Sequence, residues 1–195
     1  MADSITINSV TELAHNWGRL DNYQVTHSRR DGTMQTVQRE VYDHGSAAAV
    51  LLYAADGGTV ILTRQFRLPP HLNGDPAWMI EAPAGLLDGE APAIAAHREA
   101  VEETGYAPAD MVFLFDVYTS SGSLTEKCAC FLGRYTPGEK VSAGGGLQSE
   151  GEDIEVFEVA FEEAMAMIGD GRIVDAKTIL LLQALALRLM KGEMG

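Results

Sequence analysis

The chain has 195 residues, 46% of them hydrophobic and 22% charged, and a formal net charge of −14. That length suits one domain, with about 70% of the unfolded surface buried on folding, and the composition is that of an ordinary globule. The acid excess excludes a nucleic-acid surface, which needs a basic patch, so arginines such as Arg39, Arg64, Arg67 and Arg98 become the cations of interest for any polyanionic small substrate.

In chain order, the first 20 residues carry a weak pattern, with 10–20 reading as a strand or a short helix. The opening MADSITINSV has an acid at Asp3 and no apolar core, so it is not a secretory signal. Residues 22–30 and 33–44 flank Asp31-Gly32, a strong hairpin turn signal. A two-stranded ribbon is marginal alone, so residues 1–44 are expected to lie on the main domain, 45–195, or on a second subunit. Residues 46–54 and 59–67, separated by Ala55-Asp56-Gly57-Gly58, are nearly continuous apolar runs and predict central strands of a mixed sheet. Residues 68–76 read as a loop, and WMIEAP, 78–83, as the approach to the central stretch of the chain.

Beyond that stretch, 112–120 and 127–135 predict two strands around the loop SGSLTE. Cys128 and Cys130 alternate on the second and read as reduced core thiols, not as a bridge. Residues 138–153 form a glycine-rich acidic loop, in which Gly144-Gly145-Gly146 would let Glu150, Glu152 and Asp153 swing inward. It is not a P-loop, because no Gly-Lys-Ser/Thr follows. Residues 154–160 predict the last strand, followed by helices at 161–169 and about 175–191, the latter apolar enough to pack on two sides. Its apolar run, 179–190, is too short and interrupted to span a bilayer, so no membrane association and a cytoplasmic location are expected. Strands on both sides of a carboxylate helix, with closing helices, imply an α/β/α sandwich with a mixed sheet.

The centre of the chain is residues 81–106, EAPAGLLDGEAPAIAAHREAVEETGY. A helix is predicted from Glu90 or Pro92 to Gly105, with Pro and Gly as its punctuation. Ile94 and Val101, seven apart, are expected on its buried stripe, and Glu99, Glu102 and Glu103 on an exposed face. Each like-charged pair costs about 0.2–0.5 kcal/mol on a helix, and only Arg98 is a local partner. A lone glutamate run would be a solvated face. A magnesium ion, which prefers oxygen ligands and bridges carboxylates to phosphates, gives these acids a use.

The order Gly, spacer, Glu, spacer, Arg-Glu-x-x-Glu-Glu-x-Gly-apolar resembles the Nudix box. Arg98, Glu99, Glu102, Glu103, Gly105 and Tyr106 match its second half; Glu90 falls at its leading glutamate, while its opening glycine falls on Ala84, with Gly85 one place late. From Asp21 onward the chain is similar to the nucleotide-sugar branch of the Nudix superfamily, and more closely to the GDP-mannose pyrophosphatases. The carriers are DNYQ at 21–24, QREVYDHG at 38–45, RQFR at 64–67, PAGLLD at 83–88, SGSLTEK at 121–127, SAGGG followed by EDIEV at 142–156, and DAKT at 175–178.

The resemblance implies a Nudix sandwich whose N-terminal β region is exchanged between the subunits of a homodimer. It implies Mg2+, or Mn2+ in its place, held by the Ala84 carbonyl, Glu99, Glu103 and Glu152, with Glu99, Glu103 and Glu152 catalytic. It implies substrate contacts at Tyr23, Gln38, Arg39, Glu40, Arg67, Ala84, Gly85, Leu86, Glu103, Glu126, Gly151, Glu152 and Lys177. Gln38 stands where a lysine is expected and Gly151 where an acid is expected. The implied reaction is hydrolysis of a nucleoside diphosphate sugar, GDP-mannose to GMP and mannose 1-phosphate. An ADP-ribose or ADP-sugar pyrophosphatase and a non-catalytic nucleotide-sugar regulator are the alternatives.

Overall fold

The computed structural model describes residues 4–56 and 58–193. Gly57, within the expected turn at 55–58, and the side chain of Glu150 lie outside the described residues. The chain divides into two units, Met1–Ser46 with Tyr118–Lys127, and Ala47–Val117 with Cys128–Gly195.

The first unit is an antiparallel sheet of β1 (Ile5–His15), β2 (Arg19–Ser28) and β3 (Met34–Asp43), in that order. The weakly patterned start is therefore a strand, and the expected two-stranded ribbon has three. The hairpin at Asp31-Gly32 forms as predicted: the Asp31 carboxylate accepts from the Thr33 N–H at 2.9 Å and its hydroxyl at 2.6 Å, and Gly32 takes the positive φ the turn needs. Ile5, Ile7, Val10 and Leu13 on β1 are all exposed.

The second unit continues with β4 (Ala47–Ala54), β5 (Thr59–Phe66), α1 (Leu68–Leu72), β6 (Trp78–Glu81), β7 (Ala84–Leu86) and α2 (Pro92–Glu99). A π-helical turn at Ala100–Thr104 follows, then β8 (Ala109–Tyr118), β9 (Lys127–Tyr135), β10 (Glu155–Ala160), α3 (Phe161–Gly169) and α4 (Ala176–Lys191). The stretch expected to be a loop at 68–76 thus contains a short helix, with Pro69 and Pro70 in its first turn. The sheet order is β10-β5-β4-β9-β8, with β6 on β5 and β7 on β4, and β4 runs parallel to β9.

β4 explains the sandwich. Every residue of AAAVLLYA is buried, and strand alternation sends the two halves to opposite layers. Ala47, Ala49, Leu51 and Tyr53 pack with Leu181, Leu182 and Leu185 of α4 and Met167 of α3. Ala48, Val50 and Leu52 pack with Ala95 and Ala96 of α2 and with Ala100. Cys128 and Cys130 form no disulfide and are buried on the α4 side.

Two expectations about helix packing fail. Ile94 is 59% exposed and Val101 only partly buried, because the box helix meets the sheet through a stripe of alanines, 95, 96 and 100. Small side chains let helix and sheet approach closely; the stripe was hidden because the larger apolar residues suggested another face. Likewise α4 buries Leu181, Leu182 and Leu185, worth about 1.5–3 kcal/mol each, but Leu187 and Met190 are exposed. It packs on one side within the chain, not two.

Candidate active site

The alanine stripe decides where the acids go. Glu99 and Glu103 lie three and seven residues after Ala96, so they share its side of the helix and are buried, to 9% and 1% exposure. The expected exposed glutamate face is therefore corrected: only Glu102 of the three keeps a partly exposed position. Glu103 sits in the π-helical turn, a distortion common at functional sites.

Around these acids the loops are fixed from both ends. Arg98 donates to Glu90 at 2.8 Å, to Glu99 at 2.7 Å, to Glu102 at 3.1 Å and to the Leu86 carbonyl at 3.1 Å. One guanidinium thus ties the box's opening loop to its helix, and Glu90 serves as part of that clamp. β7 places Ala84, Gly85 and Leu86 beside Ala49, Ala48 and Ala47. Gly85 leaves room there for the Glu99 carboxylate, which a Cβ at this position would displace.

The glycine loop also departs from expectation. It is not a free hinge: the Gly145 N–H donates to the Glu103 carbonyl at 2.7 Å and the Gly146 N–H to the Glu102 carbonyl at 3.0 Å, satisfying carbonyls at the end of the helix. Gly144, Gly145 and Gly146 all take positive φ, and a Cβ on Gly144 would lie 2.6 Å from the Thr104 backbone carbon. The loop then turns through Gly151, also at positive φ. Glu152 folds back so that its carboxylate accepts from the Leu147 N–H at 2.8 Å.

Electrostatically the site is strained. Burial, then the charges of Glu99, Glu152 and Glu81, push the Glu103 carboxyl well above its usual range, against the pull of Arg67. Burial is also the main reason the Glu99 carboxyl is raised, with Arg98 opposing it and Glu102 and Glu152 adding to it. Glu103 Oε2 is buried without a hydrogen-bond partner. Such an atom carries a desolvation penalty, which a divalent cation would relieve, so the donor set fits a hard cation. Among the described residues no three His, Cys, Asp or Glu side chains form a ready-made cage, Glu99 being turned onto Arg98 and Glu152 onto Leu147.

Two cations near these acids are themselves anchored. Arg67 donates through Nε and Nη2 to the two oxygens of Glu81, both at 2.9 Å. Lys177, in the first turn of α4, donates to Asp175 at 2.8 Å, and the Asp175 and Glu81 charges raise its ammonium pKa against burial, the largest single effect. Glu81 and Asp175 escaped the sequence reading. The signal for the first was one acid inside an apolar strand, and for the second an Asp three residues before a Thr at a helix start. Arg64 is turned away, to Glu155 at 3.0 Å and over the Phe157 ring.

The other expected contacts belong to the first unit. Tyr23 pairs across the strands with Arg39, Gln24 with Gln38 and Asn22 with Glu40. Arg39 donates to the Gln38 carbonyl at 2.8 Å. Glu126 accepts from the Thr119 hydroxyl at 2.9 Å and stands 3.8 Å from His44 Nε2.

Residues 43–182 match the NUDIX domain, and residues 4–42 match the GDP-mannose pyrophosphatase NudK N-terminal domain. A GDP-mannose pyrophosphatase of Pectobacterium atrosepticum is 46% identical over 189 residues, 96% of this chain and 97% of that protein. One from Yersinia pestis is 45% identical over 172 residues, 88% of this chain and 86% of the relative. One from Escherichia coli is 42% identical over 186 residues, 95% and 96% of the two chains. With its buried acids inside a matched domain and its first strands matching the N-terminal module of these enzymes, the chain belongs to the Nudix family of pyrophosphohydrolases.

Proposed function

We propose that the chain hydrolyses the pyrophosphate bond of GDP-mannose, giving GMP and mannose 1-phosphate. The observation that carries the reading is Glu103, a carboxylate with an unpartnered oxygen, raised by burial and by the charges of Glu99, Glu152 and Glu81 against the pull of an anchored Arg67. The similarity to GDP-mannose pyrophosphatases supports the choice of substrate.

Ala84 through its carbonyl, Glu99, Glu103 and Glu152 would hold Mg2+, or Mn2+ in its place. When bound, the metal neutralises pyrophosphate charge and lowers the pKa of a water. Glu152, or Glu150 or Asp153 beside it, would accept the proton of the attacking water. Arg67 and Lys177 would bind phosphate oxygens, with charge-assisted bonds that act alike on substrate and transition state. Glu40 and Glu126 are acceptors suited to sugar hydroxyls and to the N–H edge of guanine, which offers more donors than adenine.

We further propose that residues 1–44 form a dimerisation and substrate-contact region and 45–195 the hydrolase domain. In this reading a homodimer exchanges its N-terminal sheets, bringing Tyr23, Gln38, Arg39 and Glu40 to the partner's site. The exposed apolar residues of β1 support this. The two buried cysteines of β9, with no disulfide between them, support a reducing, cytoplasmic location.

The test is a panel of nucleotide sugars with magnesium, phosphate release being read after phosphatase treatment of the products. GDP-mannose is expected to give the highest kcat/KM. A value tenfold higher for ADP-ribose, about 1.4 kcal/mol in transition-state binding, would transfer the assignment to an ADP-ribose pyrophosphatase.

A further inference from the structure

A guanidinium has five N–H donors in a fixed plane. At Arg67 the Nε–H and one Nη2–H are taken by the two oxygens of Glu81. Two donors on Nη1 and one on Nη2 remain, on the edge away from Glu81. The two partners also differ in exposure: the Glu81 side chain is 3% exposed and that of Arg67 39%. The anchored edge therefore faces a buried carboxylate, while part of the Arg67 side chain stays exposed.

Glu81 is itself held without freedom. It pairs with Thr63 across β5 and β6, and its carbonyl accepts from the Thr63 hydroxyl at 3.1 Å. The following Ala82 N–H donates to Thr178 at 2.7 Å. The Arg67 backbone N–H is fixed too, on the Ala77 carbonyl at 2.7 Å. A buried carboxylate on a fixed backbone thus meets a side chain that also begins from a fixed backbone, and the fork between them selects one orientation of the guanidinium. Alone, Arg67 would loosen or swing toward the acids around Glu103.

We propose that Glu81 is a positioning residue, which turns Arg67 so that its Nη1–Nη2 edge meets an oxygen of the substrate's pyrophosphate. This rests on the pyrophosphohydrolase reading above. It differs from an ordinary buried ion pair in one respect: the effect of Glu81 on catalysis passes through Arg67.

A double-mutant cycle measures that dependence. Glu81→Gln is expected to lower kcat/KM about tenfold for the best nucleotide sugar, mainly by raising KM, because the contact is made in ground and transition states alike. In an Arg67→Ala background the same change is expected to cost less than about twofold. Glu81→Asp, which keeps the charge and both oxygens, is expected to recover part of the loss. An unchanged kcat/KM in Glu81→Gln, or an equal loss with and without Arg67, would overturn the assignment. Thermal melting accompanies each variant, and if Glu81→Gln does not fold the cycle is run with Glu81→Asp. If the unmodified chain hydrolyses no nucleotide sugar, the proposed function fails alone. The same cycle is then read from calorimetric binding of inorganic pyrophosphate with magnesium, under the same two criteria.

Discussion

Glu103 concentrates the conflict between stability and chemistry. Its carboxyl is buried, partly unpartnered and raised above the range it has in the unfolded chain. Between the unfolded and folded pKa values the native state therefore binds more protons, and stability falls as pH rises through the folded value. Without divalent cation, Glu103→Gln is expected to raise the melting temperature at neutral pH by about 2–4 °C, roughly 1 kcal/mol for a chain of this size. The gap should close as pH falls toward about 4. The same variant is expected to lose magnesium-dependent hydrolysis. A variant that melts below the unmodified chain at neutral pH, or that keeps its turnover, would contradict this account. The sequence marked Glu103 as a metal-site candidate through its spacing. It gave no sign of burial, because that depends on alanines facing the sheet.

At the scale of elements, the start of α4 links the two layers of chemistry. Asp175 caps the helix, accepting from the Thr178 N–H at 2.8 Å and its hydroxyl at 2.7 Å, and Thr178 in turn accepts from Ala82 on the approach to the box. Burial tends to raise the Asp175 carboxyl, but Lys177 and the Thr178 donors outweigh it and the net shift is downward. Its contribution is thus present above the unfolded pKa and lost as pH falls through the folded one. Asp175→Ala is expected to cost about 1–2 kcal/mol at neutral pH by denaturant melts, and the difference from the unmodified chain should vanish well below about pH 4. Asp175→Asn, which keeps a capping oxygen, should recover part of the loss. An undiminished gap at low pH would assign the effect to packing and not to charge.

For the whole molecule, the proposed exchange of the N-terminal sheet requires a dimer. The sheet's first strand is exposed along its length, and such a sheet has little core to stand on. In solution the chain is expected to have the light-scattering mass of two chains. Complementation tests the exchange directly. When Arg39→Ala and Glu103→Gln chains are coexpressed, mixed dimers regain one complete site only if Arg39 serves the partner. About a quarter of normal activity is then expected from random pairing of a two-fold dimer. No recovery, with each variant inactive alone and both folded and paired, would place Arg39 in its own chain's site.

What the sequence determined by itself was local and periodic. The Asp31-Gly32 turn, the all-apolar β4 run, the acids at 99, 102 and 103 and the glycine at 105 each specify geometry within a few residues, so strands, helix and box could be placed in order. The tertiary structure decided what those acids face. Burial is set by which side of α2 meets the sheet, and Ala95, Ala96 and Ala100 outweighed the larger Ile94 because close approach needs small side chains. It also decided the long-range pairs, Glu81 with Arg67 and the Gly145 N–H with the Glu103 carbonyl. Such contacts join residues 14 and 42 apart, where periodicity carries no information and only strand register and loop closure bring the groups together.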